Sequence, residues 1–179
     1  MLNARKYLKQ SAYRLIEKTP IEKLTVRELL KDAEVSKQTF YRYYLDKYAL
    51  ANELYYELTQ KDIIDAFLVK NEDDWREMYR KQFAVFRKHL PFIQHLYTSR
   101  ETGCTLDYET RSTIDFDKAY LKSRGADVTD PRILFALEAK DVGGTYAMRD
   151  WILHGMDVDD EEMIERFYLI IPQILMPYY

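Results

Sequence analysis

The sequence predicts an all-α fold of about nine helices, and three observations favour this class. Only five Gly and five Pro occur among 179 residues, whereas a fold of many short strands needs turn residues at short intervals. The segments between these residues carry apolar side chains at helical spacing. Favourable capping residues stand at most segment starts, so each helix can be predicted in order along the chain.

The first predicted helix covers residues 3–18 and ends at Thr19-Pro20, because the residue before a proline is disfavoured in the helical conformation. One face of this helix is apolar, and it comprises Tyr7, Leu8, Ala12, Leu15 and Ile16. We expect that face to pack against the helices that follow.

Capping residues predict the next three helices. Thr25 and Glu28 have the spacing of a capping box, while Ser36 and Asp46 are favourable N-cap residues. The fourth helix is expected to be long, because leucines and isoleucines recur at helical spacing within it. The three helices are predicted to follow Thr25, Ser36 and Asp46 and to run to about Ala33, Tyr43 and residue 69.

Five further helices are predicted from similar signals, including proline in a first turn and glycine after a last turn. We expect the ninth helix to contain Pro172 and to bend there. The predicted starts are at about residue 75, Pro91, residue 106, Pro131 and about Asp159, and the sixth, seventh and eighth helices are expected to close at Gly103, Gly125 and Gly155.

Charge is distributed unevenly along the chain. Residues 1–50 hold eleven Lys and Arg against six Asp and Glu, a net charge of +5, whereas residues 51–179 carry a net charge of −8. A basic head on an acidic body is typical of a small nucleic-acid-binding unit joined to an effector domain, although charges also cluster by chance on solvated surfaces. We predict a head at 1–48 and a helical dimerisation and ligand-binding domain at 49–179.

The sequence predicts no metal, cofactor or catalytic site. His89, His95 and His154 lack the spacing of helical metal ligands, and Cys104 is the only cysteine. No Gly-rich phosphate loop or nucleophile elbow occurs. We therefore do not expect an enzyme, although an active site assembled across several helices would leave no local motif.

The start of the chain is charged rather than apolar, and no run approaches the about 18 apolar residues of a membrane span. A single cysteine also gives no reason to expect an oxidising compartment. We expect a cytoplasmic protein that does not enter a membrane.

Residues 24–50 carry the most informative pattern. Two short helices meet at a turn around Glu34, and the small Ala33 allows the second helix to pack closely across the first. Apolar anchors are expected on both sides of the turn: Val26, Leu29, Leu30, Val35 and Phe40. The pattern predicts a helix-turn-helix head followed by a helical domain. Its second helix would present polar side chains to a DNA major groove, namely Lys37, Gln38, Thr39, Tyr41, Arg42 and Tyr43.

From Thr25 to Leu50 the sequence resembles the DNA-binding head of the TetR family. The resemblance rests on Thr-Val-Arg-Glu at 25–28, Ala33, Val35-Ser36, Thr39 and Lys47, all at the family's fixed spacing. The run Ala-Met-Arg-Asp-Trp-Ile-Leu-His-Gly-Met at 147–156 is also similar to C-terminal domains of this family. Glu34, Tyr44 and Leu45 depart from the pattern, and Glu34 replaces the usual turn glycine.

The resemblance implies how the head meets double-stranded DNA. Thr25, Tyr41 and Lys47 are expected to contact phosphates, and Thr25 and Lys47 stand at helix N-termini that favour anions. Candidates for base contacts are Lys37, Gln38, Thr39, Arg42 and Tyr43. Gln38 is the leading candidate for direct readout, because its amide can pair with adenine. The negative charge of Glu34 is expected to weaken phosphate attraction locally, and its turn must either avoid a left-handed conformation or tolerate strain.

The resemblance also implies a homodimer that pairs through its last two helices. Symmetric pairs of such heads bind palindromic operators, because one recognition helix covers few base pairs. The interface is expected to include Gly143, Gly144, Ala147, Trp151, Phe167, Ile170, Ile171 and Ile174. The alternative is that these residues pack within one subunit.

Sixteen Tyr and eight Phe are many for this length, and aromatic walls suit a small-molecule effector pocket. The candidate lining residues are Trp75, Tyr79, Phe83, Phe86, Tyr97, Phe116, Tyr120, Phe135 and Tyr146. Ordinary core packing is an equally good explanation of these residues.

We therefore expect a homodimeric TetR-like regulator, a repressor that a small effector releases or retunes. One alternative is a DNA-bound adaptor or activator that a partner protein controls, which an exposed apolar patch would mark. Another is a helical ligand-binding protein whose head does not bind DNA, which selection of no palindrome from random DNA would favour.

Overall fold

The structure is a computed structural model that describes residues 3–65 and 68–179. Over those ranges it contains nine α-helices and no strand, which confirms the predicted fold class. The helices are α1 (Asn3–Ile16), α2 (Val26–Ala33), α3 (Lys37–Tyr43), α4 (Lys47–Thr59), α5 (Glu72–Lys88), α6 (Leu90–Tyr97), α7 (Thr105–Ser123), α8 (Pro131–Leu153) and α9 (Asp160–Leu169), with single 3-10 turns at Ile21–Lys23 and Met176–Tyr178.

Helices α1, α2 and α3 form a compact head. Leu8 and Ile16 of α1 are buried with Phe40 of α3, whereas Tyr7, which the sequence predicts on the same apolar face, is half exposed. Ala33 is buried at the end of α2, where its small side chain admits α3. The predicted helix-turn-helix anchors are all buried or pack against the core.

Helices α2, α3 and α4 each begin after the predicted capping residue. Thr25 forms the capping box with Glu28, and Ser36 accepts a 3.2 Å hydrogen bond from the backbone amide of Thr39. Asp46 accepts a 2.8 Å bond from the amide of Ala49. Each bond satisfies one of the amides that a helix N-terminus leaves without a partner.

The prediction that the fourth helix runs to about residue 69 is wrong. Helix α4 ends at Thr59, and Gln60 leaves the helical conformation with φ −127° and ψ −41°. The apolar residues beyond it extend the helical pattern in the sequence, but Ile63 and Ile64 pack on the core from a turn. The predicted extension also includes residues 66 and 67, which lie outside the described residues.

The prediction that the ninth helix contains Pro172 is also wrong. Helix α9 ends at Leu169, and Pro172 follows in a turn that places Ile171 and Leu175 in the core. The reason is local, since a helix tends to end at or before the residue that precedes a proline.

Helix α4 joins the head to the body, because it packs against α1 on one side and against α5 and α7 on the other. Within the body, α8 packs against α6 and α7, while α9 packs against α5. None of the described helices is long and apolar enough to cross a membrane.

Polar bonds also link head and body. The Tyr13 hydroxyl lies 2.7 Å from Nδ1 of His89, and Nδ1 of His95 donates a 2.6 Å hydrogen bond to the carbonyl oxygen of Ile16. The hydroxyls of Tyr48 and Ser99 are 3.1 Å apart. These bonds fix the end of α1 and the start of α4 against α6 and the loop after it.

Candidate DNA interface and internal cavity

The outer face of α3 is the exposed polar surface of the head. Its outward side chains are Lys37, Gln38, Tyr41, Arg42 and Tyr43, and Thr39 is half buried beside them. Phe40, between these residues in sequence, is fully buried and anchors the helix. The short helix therefore presents amide, guanidinium, ammonium and phenol groups together, as a major-groove reading surface requires.

Two predicted phosphate contacts already make hydrogen bonds within the head. Thr25 is exposed, but its hydroxyl lies 2.7 Å from a carboxylate oxygen of Glu28 in the capping box. The Lys47 ammonium donates to the carbonyl oxygens of Glu22 and Leu24 at 3.0 and 2.9 Å. An ammonium group has three donors, so Lys47 retains one for a phosphate.

The turn between α2 and α3 adopts a left-handed conformation at Glu34, with φ 54° and ψ 38°. A residue with a Cβ atom is strained in this region, at a cost of about 1–2 kcal/mol. The turn therefore tolerates the strain rather than avoiding the conformation. The Glu34 side chain is exposed, three residues before Lys37 of the reading face.

Basic residues of α1 form ion pairs that orient the head. Arg5 and Lys9 lie 2.8 and 2.7 Å from Glu53 and Glu57 of α4, and Arg14 lies 2.6 Å from Asp32 of α2. These cations are partly neutralised. Lys37 and Arg42 are exposed on α3 and add positive charge to its outer face.

An internal cavity of about 40 Å³ lies in the body between the end of α4 and helices α5, α7, α8 and α9. One water molecule needs about 10–15 Å³, so the cavity has room for a few waters. Its apolar wall includes Trp75, Met78, Tyr79, Phe116, Met148 and Phe167. Its polar wall includes Gln60, Gln82, Glu109, Asp117, Lys140 and Asp141.

One part of the polar wall is an ion cluster at the α7–α8 contact. The Lys140 ammonium makes a short hydrogen bond to Asp117, which also accepts a 2.8 Å bond from the Tyr179 hydroxyl. Lys140 is also 2.6 Å from Oδ1 of Asp141. That contact is an ion pair without hydrogen-bond alignment, because neither Asp141 oxygen accepts a hydrogen bond from a described residue. Burial and the neighbouring Asp117 raise the pKa of Asp141.

The other part of the polar wall surrounds Glu109. The Gln60 amide donates a 2.6 Å hydrogen bond to its carboxylate, and Gln60 accepts bonds from Tyr108 and Ser112. Burial raises the pKa of Glu109 to about 7, although the neighbouring Tyr55 hydroxyl and Gln60 amide favour the ionised form. Glu109 is therefore a buried carboxyl group that titrates near neutral pH.

The aromatic residues predicted to line a pocket separate into three groups. Trp75, Tyr79 and Phe116 line the cavity. Phe83, Phe86, Tyr97 and Tyr120 are fully buried in the core outside its lining. Phe135 and Tyr146 are 75% and 50% exposed, because they fall on the outer face of α8, opposite the buried residues Leu137, Asp141, Thr145 and Met148.

The residues predicted to form a dimer interface divide into a buried group and a more exposed group. Trp151, Phe167 and Ile171 are buried within the subunit, so their side chains are not on its surface. Gly143, Ala147, Ile170 and Ile174 are exposed, and Gly144 is half buried. A Cβ atom on Gly144 would lie 3.6 Å from Cδ1 of Ile170, so the segment after α9 lies against Gly144 of α8.

Sequence reasoning missed the polar wall of the cavity, although a signal was present. Gln82 falls within the apolar face of α5 between Met78 and Phe86, and Asp141 falls within that of α8 between Leu137 and Met148. A polar residue on an otherwise apolar helix face is a candidate for a functional site. Among the described residues, no group of three His, Cys, Asp or Glu side chains could hold a metal ion.

Comparison with known proteins agrees with this architecture. The family described as "Bacterial regulatory proteins, tetR family" matches residues 10–54, and the family described as "Transcriptional regulator C-terminal region" matches residues 73–173. No curated protein matches the sequence.

Among solved structures, the chain is similar to one described as "Dihydroxyacetone kinase operon activator DhaS". The TM-score is 0.64 over 99% of both chains, at 12% sequence identity, so this likeness concerns the fold. The two family matches cover the head and most of the body, and the second alone covers more than half of the chain. The chain belongs to the tetR family of bacterial regulatory proteins, and it is a DNA-binding transcriptional regulator.

Proposed function

We propose that the protein is a homodimeric repressor that binds a palindromic operator through α3. The observation that carries this proposal is the outer face of α3, where five polar or aromatic side chains project from a helix anchored by the buried Phe40. In this proposal Gln38 reads a base in the major groove. Thr25, Tyr41 and the free donor of Lys47 contact phosphates, and the remaining α3 side chains are further candidates for base contacts.

We propose that two subunits pair through the outer face of α8 and the segment after α9. Exposed apolar residues support this surface: Val142 and Tyr146 on α8, and Ile170 and Ile174 beyond α9, are between 41% and 50% exposed. Gly143 is also exposed and has open space around it, which allows close approach of a second backbone. The twofold axis would place two α3 helices about 34–36 Å apart, in successive major grooves.

In this proposal a small effector in the cavity changes the spacing of the two heads. Cavities that hold drug-sized ligands are about 300–1,000 Å³, far larger than this one, so an effector has to displace wall residues. Gln60 is one of these wall residues and directly follows α4, the helix that joins head and body. An effector shifts the equilibrium only if it binds one arrangement of the heads more tightly than the other.

A second candidate is an activator or adaptor that a partner protein controls. Phe135 of α8 and Leu169 of α9 favour it, since they are 75% and 72% exposed and a partner would cover them. The similar solved structure is also described as an operon activator. In either case the protein would act in the cytoplasm by binding rather than by catalysis.

Selection of bound DNA from a random pool tests the proposal. The expected result is an enriched palindrome whose two half-sites are separated by about one helical turn, or a multiple of it. Ultracentrifugation should show a dimer that Tyr146→Glu converts to monomer, whereas Tyr56→Glu, at an exposed position of α4, should leave the dimer intact. Transcription from a promoter containing the selected palindrome should fall when the protein is added, whereas a rise would favour the activator.

A further inference from the structure

The cavity contains a buried acceptor whose hydrogen-bonding capacity is unused. Asp141 is only 2% exposed, and neither oxygen of its carboxyl group accepts a hydrogen bond from a described residue. A buried carboxylate without hydrogen bonds is costly, by about 1–3 kcal/mol or more. The Lys140 ammonium, 2.6 Å from Oδ1, offsets part of this cost as an ion pair, and both oxygens can still accept a hydrogen bond from a further donor.

The charge of the wall indicates which donor would fit. Three carboxyl groups, those of Glu109, Asp117 and Asp141, face the cavity with the single ammonium of Lys140. The Lys140 ammonium is buried and already paired with Asp117 and Asp141, so it is not available to attract an anion. The wall therefore has three carboxyl groups and no free cation, so it offers no partner to an anion. An entering cation would favour the ionised forms of Glu109 and Asp141, whose pKa values burial raises.

The remaining wall indicates the body of the ligand. Trp75, Tyr79 and Phe116 line the cavity, and aromatic faces attract cations as well as apolar groups. A metal ion fits poorly, since the described residues contain no group of three carboxylate, His or Cys ligands arranged to hold one. An ammonium group on an apolar body matches both halves of the wall.

We propose that the effector is a small organic cation with an apolar or aromatic body, whose ammonium group binds the carboxylates of Glu109 and Asp141. This inference rests on the proposed regulation by a small effector. It adds the chemical class of that effector and the two side chains that recognise its charge.

Binding of the cation at Glu109 would be communicated to the head through Gln60. The Gln60 amide donates the 2.6 Å bond to Glu109, and an ammonium group competes for the same carboxylate. Gln60 is the residue that ends α4, so its release frees the end of the helix that carries the head. The cation would thus favour a different arrangement of the heads from the one that the Gln60–Glu109 bond holds.

The test uses three probes with one aromatic body and different charge: 2-phenylethylammonium, 2-phenylethanol and phenylacetate. Calorimetry on the full chain should show that the ammonium probe binds at least about tenfold more tightly than the alcohol, and that phenylacetate does not bind. Equal binding of ammonium and alcohol, no binding of the ammonium probe, or tighter binding of phenylacetate would overturn the proposal.

Two variants locate the charge partner. Glu109→Gln and Asp141→Asn should each weaken the ammonium probe by about tenfold or more and leave the alcohol unchanged. Glu138→Gln, which removes an exposed carboxylate from α8, is the matched control and should change neither. Full affinity for the ammonium probe in both cavity variants would contradict the assignment. The comparison of the three probes on the unmodified chain holds even if one variant fails to fold.

DNA binding separates this inference from the function on which it rests. If the chain binds a selected operator but its affinity for the three probes does not depend on their charge, the cation proposal fails and the proposed regulatory function stands. If the chain selects no operator, the proposed function fails whatever the probes do. Addition of the ammonium probe should change operator affinity in the unmodified chain and not in Glu109→Gln.

Discussion

The side-chain amide of Gln60 and the carboxylate of Glu109 are joined by a 2.6 Å hydrogen bond inside the body. Gln60 ends α4, the helix that joins the head to the body, and Glu109 lies on α7 in the wall of the cavity. The same Gln60 side chain accepts bonds from Tyr108 and Ser112. The end of α4 is thus held by α7 through one residue.

Loss of this residue should destabilise the fold. We expect Gln60→Ala to lower the free energy of unfolding by about 1–3 kcal/mol at pH 8, because it removes the Gln60 amide donor from a buried carboxylate. Urea denaturation measures the change. Gln38→Ala, at an exposed position, should stay within about 0.5 kcal/mol of the unmodified chain. Equal stability of the two variants would show that the bond contributes little.

Stability should depend on pH through Glu109. Its folded pKa is about 7 against an ordinary value of 4.5, so between these values the folded chain keeps a proton that the unfolded chain has lost. The free energy of unfolding should therefore fall as the pH rises through this window and level off above it, by an amount on the order of 3 kcal/mol.

Comparison with Glu109→Gln isolates this contribution, because the pKa of Asp141 is raised as well and contributes in both proteins. The stability of the unmodified chain relative to the variant should fall between pH 4.5 and 7. A difference that is constant with pH would show that Glu109 titrates normally.

Two substitutions at Glu34 distinguish the effect of backbone strain from the effect of the side-chain charge. Glu34→Gly should raise the free energy of unfolding by roughly 0.5–1 kcal/mol, since the relief of a left-handed Cβ exceeds the freedom gained by the unfolded chain. Glu34→Gln keeps the strain and removes the charge, so stability should not change. Both variants should bind DNA more tightly than the unmodified chain at low salt. A stability gain in Glu34→Gln alone would contradict this account.

The capping box should be required for the stability of the head. Thr25→Ala removes the side-chain oxygen that accepts from the amide of Glu28, and we expect a loss of about 1 kcal/mol in thermal or urea denaturation. Thr25→Ser keeps the hydroxyl and should retain most of the stability. An equal loss in both variants would point to the methyl group rather than the cap.

The head could be predicted from the sequence because its determinants are local. Thr25, Ser36 and Asp46 each cap the helix that follows, and the bonds join residues three positions apart. The end of α4 could not be predicted, because Gln60 leaves the helix to bond Glu109, which is 49 residues away. No local pattern contains that partner.

The cavity was harder still to predict from sequence. Aromatic residues are equally suited to core and to pocket, and Phe83 and Tyr97 lie in the core while Trp75 lines the cavity. Sequence position does not distinguish core residues from cavity-lining residues, because their placement depends on how α5, α7 and α8 pack. Asp141 within an apolar helix face carried the better signal, since a buried charge needs a partner.

The most direct test compares Gln38→Ala and Lys47→Ala on a selected operator and on unrelated DNA across salt concentrations. If α3 lies in the major groove, Lys47→Ala should weaken binding to both DNAs and reduce the salt slope by about one. Gln38→Ala should weaken operator binding by about 1–3 kcal/mol, leave unrelated DNA unchanged and relax the preference at one base position in each half-site. Identical losses for both variants on every DNA would contradict a reading role for α3, as would no loss for either.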